Sequence, residues 1–541
     1  MIAAAEALPK TEAAAGRRWH IALAAVIILH LALAWFAREP GILTGQDDAE
    51  YLTLAQSLKQ GTYRELYRAN TPFHRQYPPG YPLLLAGWSV LAGNSFAALV
   101  LLNMLLSASA LVVLFLALRR ALGPWIAISA VSVAAVNPEI VRYAGALMSE
   151  PAYLLISLLT LYVLLIAAGR QRWLLAAGAL ALTAALTRSI GVTVIGAVLV
   201  HWALERRWKL LALPAIVSVV ALAAWLIWTA IGPSQYAGSS YIAELRSLWS
   251  GLSWTGGLPI RFVRSLRTYA TDSMPWMLRL PAVPGTPIDN VLVLLIAVVL
   301  LGAGGLRLWR VWRPAALYLL LYAGLLLAWL WPVGRFLVPT VPLLFATMLT
   351  GAHVLASRIR RAWALPATAA LAAILLVSNG AHTLQLASSR AECRTNGDLP
   401  SATCMSPDAA SWFEAVRWIR ANVPAGQLML TAKLATLWHY TGHQSIPYEE
   451  AAHQDSANFL RYVTGHGAQW ILLGSLEIRE AHNLAPLLQA NCARLTLAAE
   501  FPPRTYLFRV AEPSPEEAAH SCDAVAAYLA ANEGRNWEVH H

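Results

Sequence analysis

The chain has 541 residues, 58% of them hydrophobic and 13% charged, with a formal net charge of +11. So apolar a composition is more than a soluble domain can cover, and apolar runs of about 18 residues or more argue for membrane spans. The positive charge does not imply a nucleic-acid partner. The arginines punctuate the gaps between apolar runs instead of forming one basic patch, as in the cytoplasmic loops of membrane proteins.

The first apolar run, 19–36, follows Lys10, Arg17 and Arg18. It is too long for the core of a signal peptide and no clear cleavage site follows, so it reads as a retained first span. Spans are predicted at about 19–37, 95–118, 122–140, 150–168, 172–187, 190–204, 209–231, 291–308, 314–331, 336–356 and 362–380. The expected fold class is therefore an α-helical polytopic membrane protein of about eleven transmembrane helices. One set of connections carries Arg17/Arg18, Arg119/Arg120, Arg170/Arg172, Arg206/Arg207/Lys209, Arg307/Arg310/Arg313 and Arg358/Arg360/Arg361. The short loops of the other set carry one arginine each, Arg142, Arg188 and Arg335. The positive-inside rule puts the first set and the N-terminus in the cytoplasm, and an odd number of spans puts the C-terminus outside. The expected location is the cell inner (plasma) membrane.

The expected organisation is a transmembrane domain, 1–380, with outer loops 38–93 and 232–290, followed by a small extracytoplasmic α/β domain, 381–541. In that tail "SPDAASWFEAVRWIRANVP" (406–424) reads as a helix opening at Ser406-Pro407. "QLMLTA" (427–432), "QWILLG" (469–474) and "TYLFRV" (505–510) read as strands. All four cysteines, Cys393, Cys404, Cys492 and Cys522, follow the last span. An even count in an outer domain fits disulfides. Three pairings exist, and Cys393–Cys404 with Cys492–Cys522 is favoured because the first closes a Gly/Pro-containing loop. A zinc site is the alternative, with poor ligand spacing.

Charges near a bilayer are costly and usually functional, so the outer ends of the spans carry the candidate site. In "GQDDAEYLTLAQSLKQGTY" (45–63), Tyr51, Leu54, Ala55 and Leu58 show the spacing of an amphipathic helix lying on the membrane surface, with Asp47, Asp48 and Glu50 at its start. Capping explains one aspartate as well as function does, and two less well. "HRQYPPGYP" (74–82) is stiffened by prolines and fixes Arg75 and Tyr77, or simply turns a loop at the interface. "NPEIVRYAGALMSEP" (137–151) places Glu139, Arg142 and Glu150 in one short outer loop. Glu150 either complements a helix dipole or serves a site. Arg188 in "ALTRSIG" and Arg335 in "WPVGRFLVPTVP" either snorkel to headgroups or hold a phosphate by paired hydrogen bonds. Arg261, Arg264 and Arg267 at helical spacing read as a basic interfacial helix touching anionic lipids. There is no P-loop, no HExxH and no GxSxG in a strand-turn-helix setting, which argues against an ATP-driven pump or a metalloprotease.

"DDAEY" (47–51), "YPPGYPLL" (77–84), "MSEP" (148–151), "LTRSIG" (186–191) and "GRFLVPTVPLL" (334–344) together resemble the C-type (GT-C) membrane glycosyltransferases, over roughly residues 20–360. The pattern is similar to the protein O-mannosyltransferases and the lipid A aminoarabinose transferases. The resemblance implies an inverting transfer of a sugar from a polyprenyl-phosphate donor to a hydroxyl of a lipid, glycan or protein acceptor. It implies Asp47 as the catalytic base, with Asp48 in the adjacent acidic position. Glu150 would act at the acceptor or, with Asp47, at a divalent metal, whose requirement stays open. It implies Arg75, Tyr77, Arg142, Arg188 and Arg335 around the donor phosphate. One departure stands out. The aminoarabinose transferases resemble "KPPLY" where this chain has "YPPGY", so Tyr77 replaces a lysine that would contact phosphate and Arg75 takes over that task. This weakens the case for lipid A as acceptor. The competing readings are a transporter or lipid flippase, and a non-catalytic assembly protein.

Overall fold

The computed structural model describes residues 10–42, 47–167, 170–231, 257–280, 287–329, 332–394, 405–476 and 480–533. Cys404 and much of the 232–290 loop lie outside these residues. The chain forms two compact units. One holds Met1–Arg38, Val100–Trp225 and Leu248–Ser388; the other holds Glu39–Leu99, Leu226–Ser247 and Ser389–His541. This differs from a cut at residue 380. The segment Glu39–Leu99 joins the tail, because its backbone pairs with the tail's sheet: Ser445 N–H donates to Tyr67 O at 2.9 Å and Ala69 N–H to Ser445 O at 3.1 Å.

The first unit is helical. Helices occupy the expected span positions, but length and composition among the described residues do not confirm the count of about eleven spans. Among the described residues, five helices are long and apolar enough to cross a membrane, or six if the bent pair Pro124–Ala135 and Pro138–Ala144 is one span. Glu150–Ile166, Ser189–Leu204 and Arg313–Ala328 are apolar but shorter. Their buried positions pack against neighbouring helices around Trp202, Trp312, Tyr153, Tyr318 and Phe345. Glycines permit the closest approaches. A Cβ on Gly304 would collide with the carbonyl of Thr347, and one on Gly351 with that of Leu300, so helices Pro287–Val311 and Val341–Ile359 touch backbone to backbone.

The expected span 122–140 is broken, with a 64° bend between its two helices. A break in a membrane helix must be re-satisfied by side chains or neighbours. Asn137 does this. Its carbonyl oxygen accepts from Glu139 N and Ile140 N, while its amide donates to Met277 O at 2.8 Å and Asn379 Oδ1 at 2.7 Å. The short helix Gly257–Thr268 carries Arg261, Arg264 and Arg267 and exposes Ile260, Phe262, Val263 and Leu266.

The second unit contains a five-stranded mixed sheet. Its strands are β1 (Leu428–Thr431), β2 (Ser445–Pro447), β3 (Ala468–Leu473), β4 (Leu495–Phe501) and β5 (Thr505–Val510). The order is β2-β1-β3-β5-β4, with β2, β1 and β3 parallel and β5 antiparallel to both β3 and β4. β1, β3 and β5 coincide with the three apolar runs read as strands. Helix Pro407–Asn422 starts at Ser406, whose hydroxyl accepts from Ala409 N. Cys492 and Cys522 are joined, and Cys393 is also disulfide-bonded.

Helix Asp47–Lys59 does not lie on a membrane surface with one face exposed. Asp48 through Ala55 are all buried, between helices Gly80–Ala92 and Leu434–Thr441. Its polar-looking face is covered by protein, which sequence periodicity cannot distinguish from water.

Candidate active site

The sequence candidates fall into two clusters, each within one unit. The first centres on Asp47, at the start of helix Asp47–Lys59. The Tyr77 hydroxyl donates to Asp47 Oδ1 at 2.8 Å. Asp48 is 1% exposed and its Oδ1 accepts from Ala49 N–H at 2.8 Å. Asp47 reaches across the loop to Tyr77. Tyr77 packs against Tyr51, with ring centroids 5.0 Å apart, and Tyr51 against Tyr81 at 4.9 Å. Behind them, Glu65 pairs with Arg68 at 2.7 Å and with His74 Nδ1 at 2.9 Å. Burial alone would raise the Glu65 carboxyl, but the Arg68 guanidinium, the hydrogen bond from His74 and the Arg75 charge hold it below the usual carboxylate value. Arg75 therefore lies within electrostatic reach of Glu65. Burial, and next the charges of Glu50 and Glu65, push the Tyr67 phenol up.

The second cluster gathers the remaining candidates. Glu150, 1% exposed, opens helix Glu150–Ile166. Arg188 Nη1 lies 2.8 Å from Glu150 Oε1 and donates to Ser149 Oγ at 2.7 Å. Neither Glu150 oxygen receives a well-directed hydrogen bond among the described residues, so charge holds the pair. Asn103 fixes the preceding turn through Ala146 O and Met148 O. Glu139 pairs with Arg279 at 3.0 Å and, more loosely, with Arg142 at 3.8 Å. Tyr143 stands within electrostatic reach of Glu150, Arg142, Arg335 and Glu139. Four arginines (Arg142, Arg188, Arg279, Arg335) thus accompany two glutamates. That excess of positive charge suits an anion.

Glu65, His74, Tyr63 and Arg279 were not singled out from the sequence. Glu65 and His74 are nine residues apart in irregular chain, and Arg279 is 140 residues from Glu139; no short-range pattern links such partners. No group of three or more His, Cys, Asp or Glu is placed to hold a metal among the described residues.

Residues 76–229 match the family described as dolichyl-phosphate-mannose-protein mannosyltransferase. This stretch contains Tyr77, Arg142, Glu150 and Arg188. No protein of curated function matches the chain. Among solved structures, ArnT from Cupriavidus metallidurans in the apo state is 16% identical at a TM-score of 0.56, covering 92% of this chain and 100% of ArnT. The oligosaccharyltransferase of Archaeoglobus fulgidus, in complex with zinc and sulfate, is 12% identical at 0.55, covering 90% of this chain and 73% of that one. The fold is that of the C-type membrane glycosyltransferases. The chain is a multi-pass membrane protein resembling that class over nearly its whole length, and the family match points the same way.

Proposed function

We propose that the protein is an inverting glycosyltransferase. It moves a sugar from a polyprenyl-phosphate donor to an acceptor hydroxyl on the outer face of the cell's inner membrane. The acceptor oxygen attacks the anomeric carbon and gives its proton to the Asp47 carboxylate. The bond from that carbon to the phosphate oxygen breaks, and the electron pair leaves with the polyprenyl phosphate. One displacement without a sugar–enzyme bond inverts the centre. The Tyr77 hydroxyl, donating to Asp47 Oδ1, orients that carboxylate toward the acceptor. Arg188, Arg335 and Arg142 stabilise the growing phosphate charge, and Arg75 contributes a further positive charge. The buried, poorly satisfied carboxylate of Glu150 receives a substrate hydroxyl.

The arginine-rich cluster around Tyr143, in this fold, carries the reading. Solved proteins of similar fold support it. ArnT has been solved bound to undecaprenyl phosphate (TM-score 0.53), and the Archaeoglobus fulgidus AglB with a dolichol-phosphate and an inhibitory peptide (0.52). A cytoplasmic N-terminus and an outer tail follow from the arginine distribution, and the Cys492–Cys522 bridge agrees with an oxidising compartment.

The test is transfer from a radiolabelled polyprenyl-phosphate sugar by purified wild type and Asp47→Asn. The expected loss is at least about 100-fold in kcat. Full transfer by folded Asp47→Asn removes Asp47 as the base; no transfer by wild type from any of several donors favours a transporter.

A further inference from the structure

His74 is 1% exposed, and each of its ring nitrogens is committed. Nδ1 faces Glu65 Oε1 at 2.9 Å, and Nε2 lies 2.7 Å from the Tyr77 backbone nitrogen. A backbone N–H can only donate, so Nε2 must be the acceptor. A carboxylate held ionised beside Arg68 can only accept, so Nδ1 must carry the proton. The two contacts thus select one neutral tautomer. The ring also stacks on Tyr77, with centroids 5.4 Å apart, and meets the Tyr63 ring edge-on at 5.5 Å. The Tyr63 hydroxyl donates to Tyr77 O at 2.8 Å, and Trp228 Nε1 to His74 O at 3.1 Å. Tyr77 is therefore clamped on both sides of its backbone, next to the rigid Pro78-Pro79 pair, while its phenol reaches Asp47.

We infer that His74 is a positioning residue for the reaction. Through its Nδ1–H tautomer, fixed by Glu65, it holds the Tyr77 main chain so that the phenol orients Asp47. This rests on the reading of Asp47 as base. It also accounts for the tyrosine at position 77: its hydroxyl serves the carboxylate.

Two measurements test it. Nitrogen-15 spectra of histidine-labelled full-length protein, compared with His74→Gln to assign the signals, should show His74 as the neutral Nδ1–H form. An Nε2–H form, or a rapid mixture of both, overturns the inference and requires no activity. In the transfer assay, His74→Ala should lower kcat by about 10- to 100-fold and leave the donor KM within about twofold. His74→Gln, whose amide can accept from Tyr77 and donate to Glu65, should restore most of kcat. Full kcat in the alanine variant, or glutamine as defective as alanine, overturns the positioning role. Asp47→Asn is run alongside: full activity there sinks the base and leaves the tautomer to decide the clamp. If His74→Ala does not fold, the tautomer and the glutamine variant still decide.

Discussion

Replacing Arg188 by methionine should destabilise the helical unit far more than replacing its partner Glu150 by glutamine. The side chains are 10% and 1% exposed, and the charges are 2.8 Å apart. Removing one member of a buried pair leaves an uncompensated charge, at a cost of about 3–5 kcal/mol. Arg188→Met strands the deeper charge, Glu150, which has no directed hydrogen bond among the described residues. Glu150→Gln leaves Arg188 less deeply buried and still donating to Ser149, so about 1–2 kcal/mol is expected. The double substitution Arg188→Met/Glu150→Gln should be more stable than Arg188→Met alone, since no buried charge remains. Thermal unfolding in detergent reads this directly, with a fall of roughly 5–10 °C expected for Arg188→Met. An Arg188→Met midpoint equal to wild type, or a double variant less stable than Arg188→Met, refutes the reasoning. Transfer should fail in both variants carrying Arg188→Met, because the arginine is also assigned to phosphate.

Glu65 is ionised more readily in the folded state than in the unfolded one, so its contribution is complete above its unfolded value near 4.5. That stability is lost as pH falls through the lower folded value, and Glu65→Gln should flatten this part of the acid unfolding curve; an unchanged curve counts against the Arg68–Glu65–His74 cluster. Gly304→Ala should cut the yield of monodisperse protein, since the new Cβ meets backbone in the adjacent helix, whereas Gly302→Ala, which meets nothing within 4 Å, should not. Removing the Cys492–Cys522 bridge, 30 residues apart, should cost about 3–4 kcal/mol. Limited proteolysis of the tail would report it, and equal resistance with serines at both positions would contradict the estimate.

Membrane character was legible from composition alone, because hydrocarbon admits only long apolar stretches. The tail strands were legible because short apolar runs bounded by turn residues have few other outcomes. Asp47, Glu150, Arg188 and Arg335 stood out for a related reason: charge is rare where the chain is otherwise apolar, so each departure shows. Tertiary structure decided what those residues do with one another. Helix Asp47–Lys59 looked amphipathic from its spacing, yet protein covers its other face, and periodicity reports polarity without naming what lies opposite. The break at Asn137 depends on Met277 and Asn379, both far away in sequence. The Glu65–His74–Tyr77 clamp joins irregular chain to the aspartate thirty residues upstream of Tyr77. Such partners are chosen by folding over long sequence separations, and a local pattern carries no record of them.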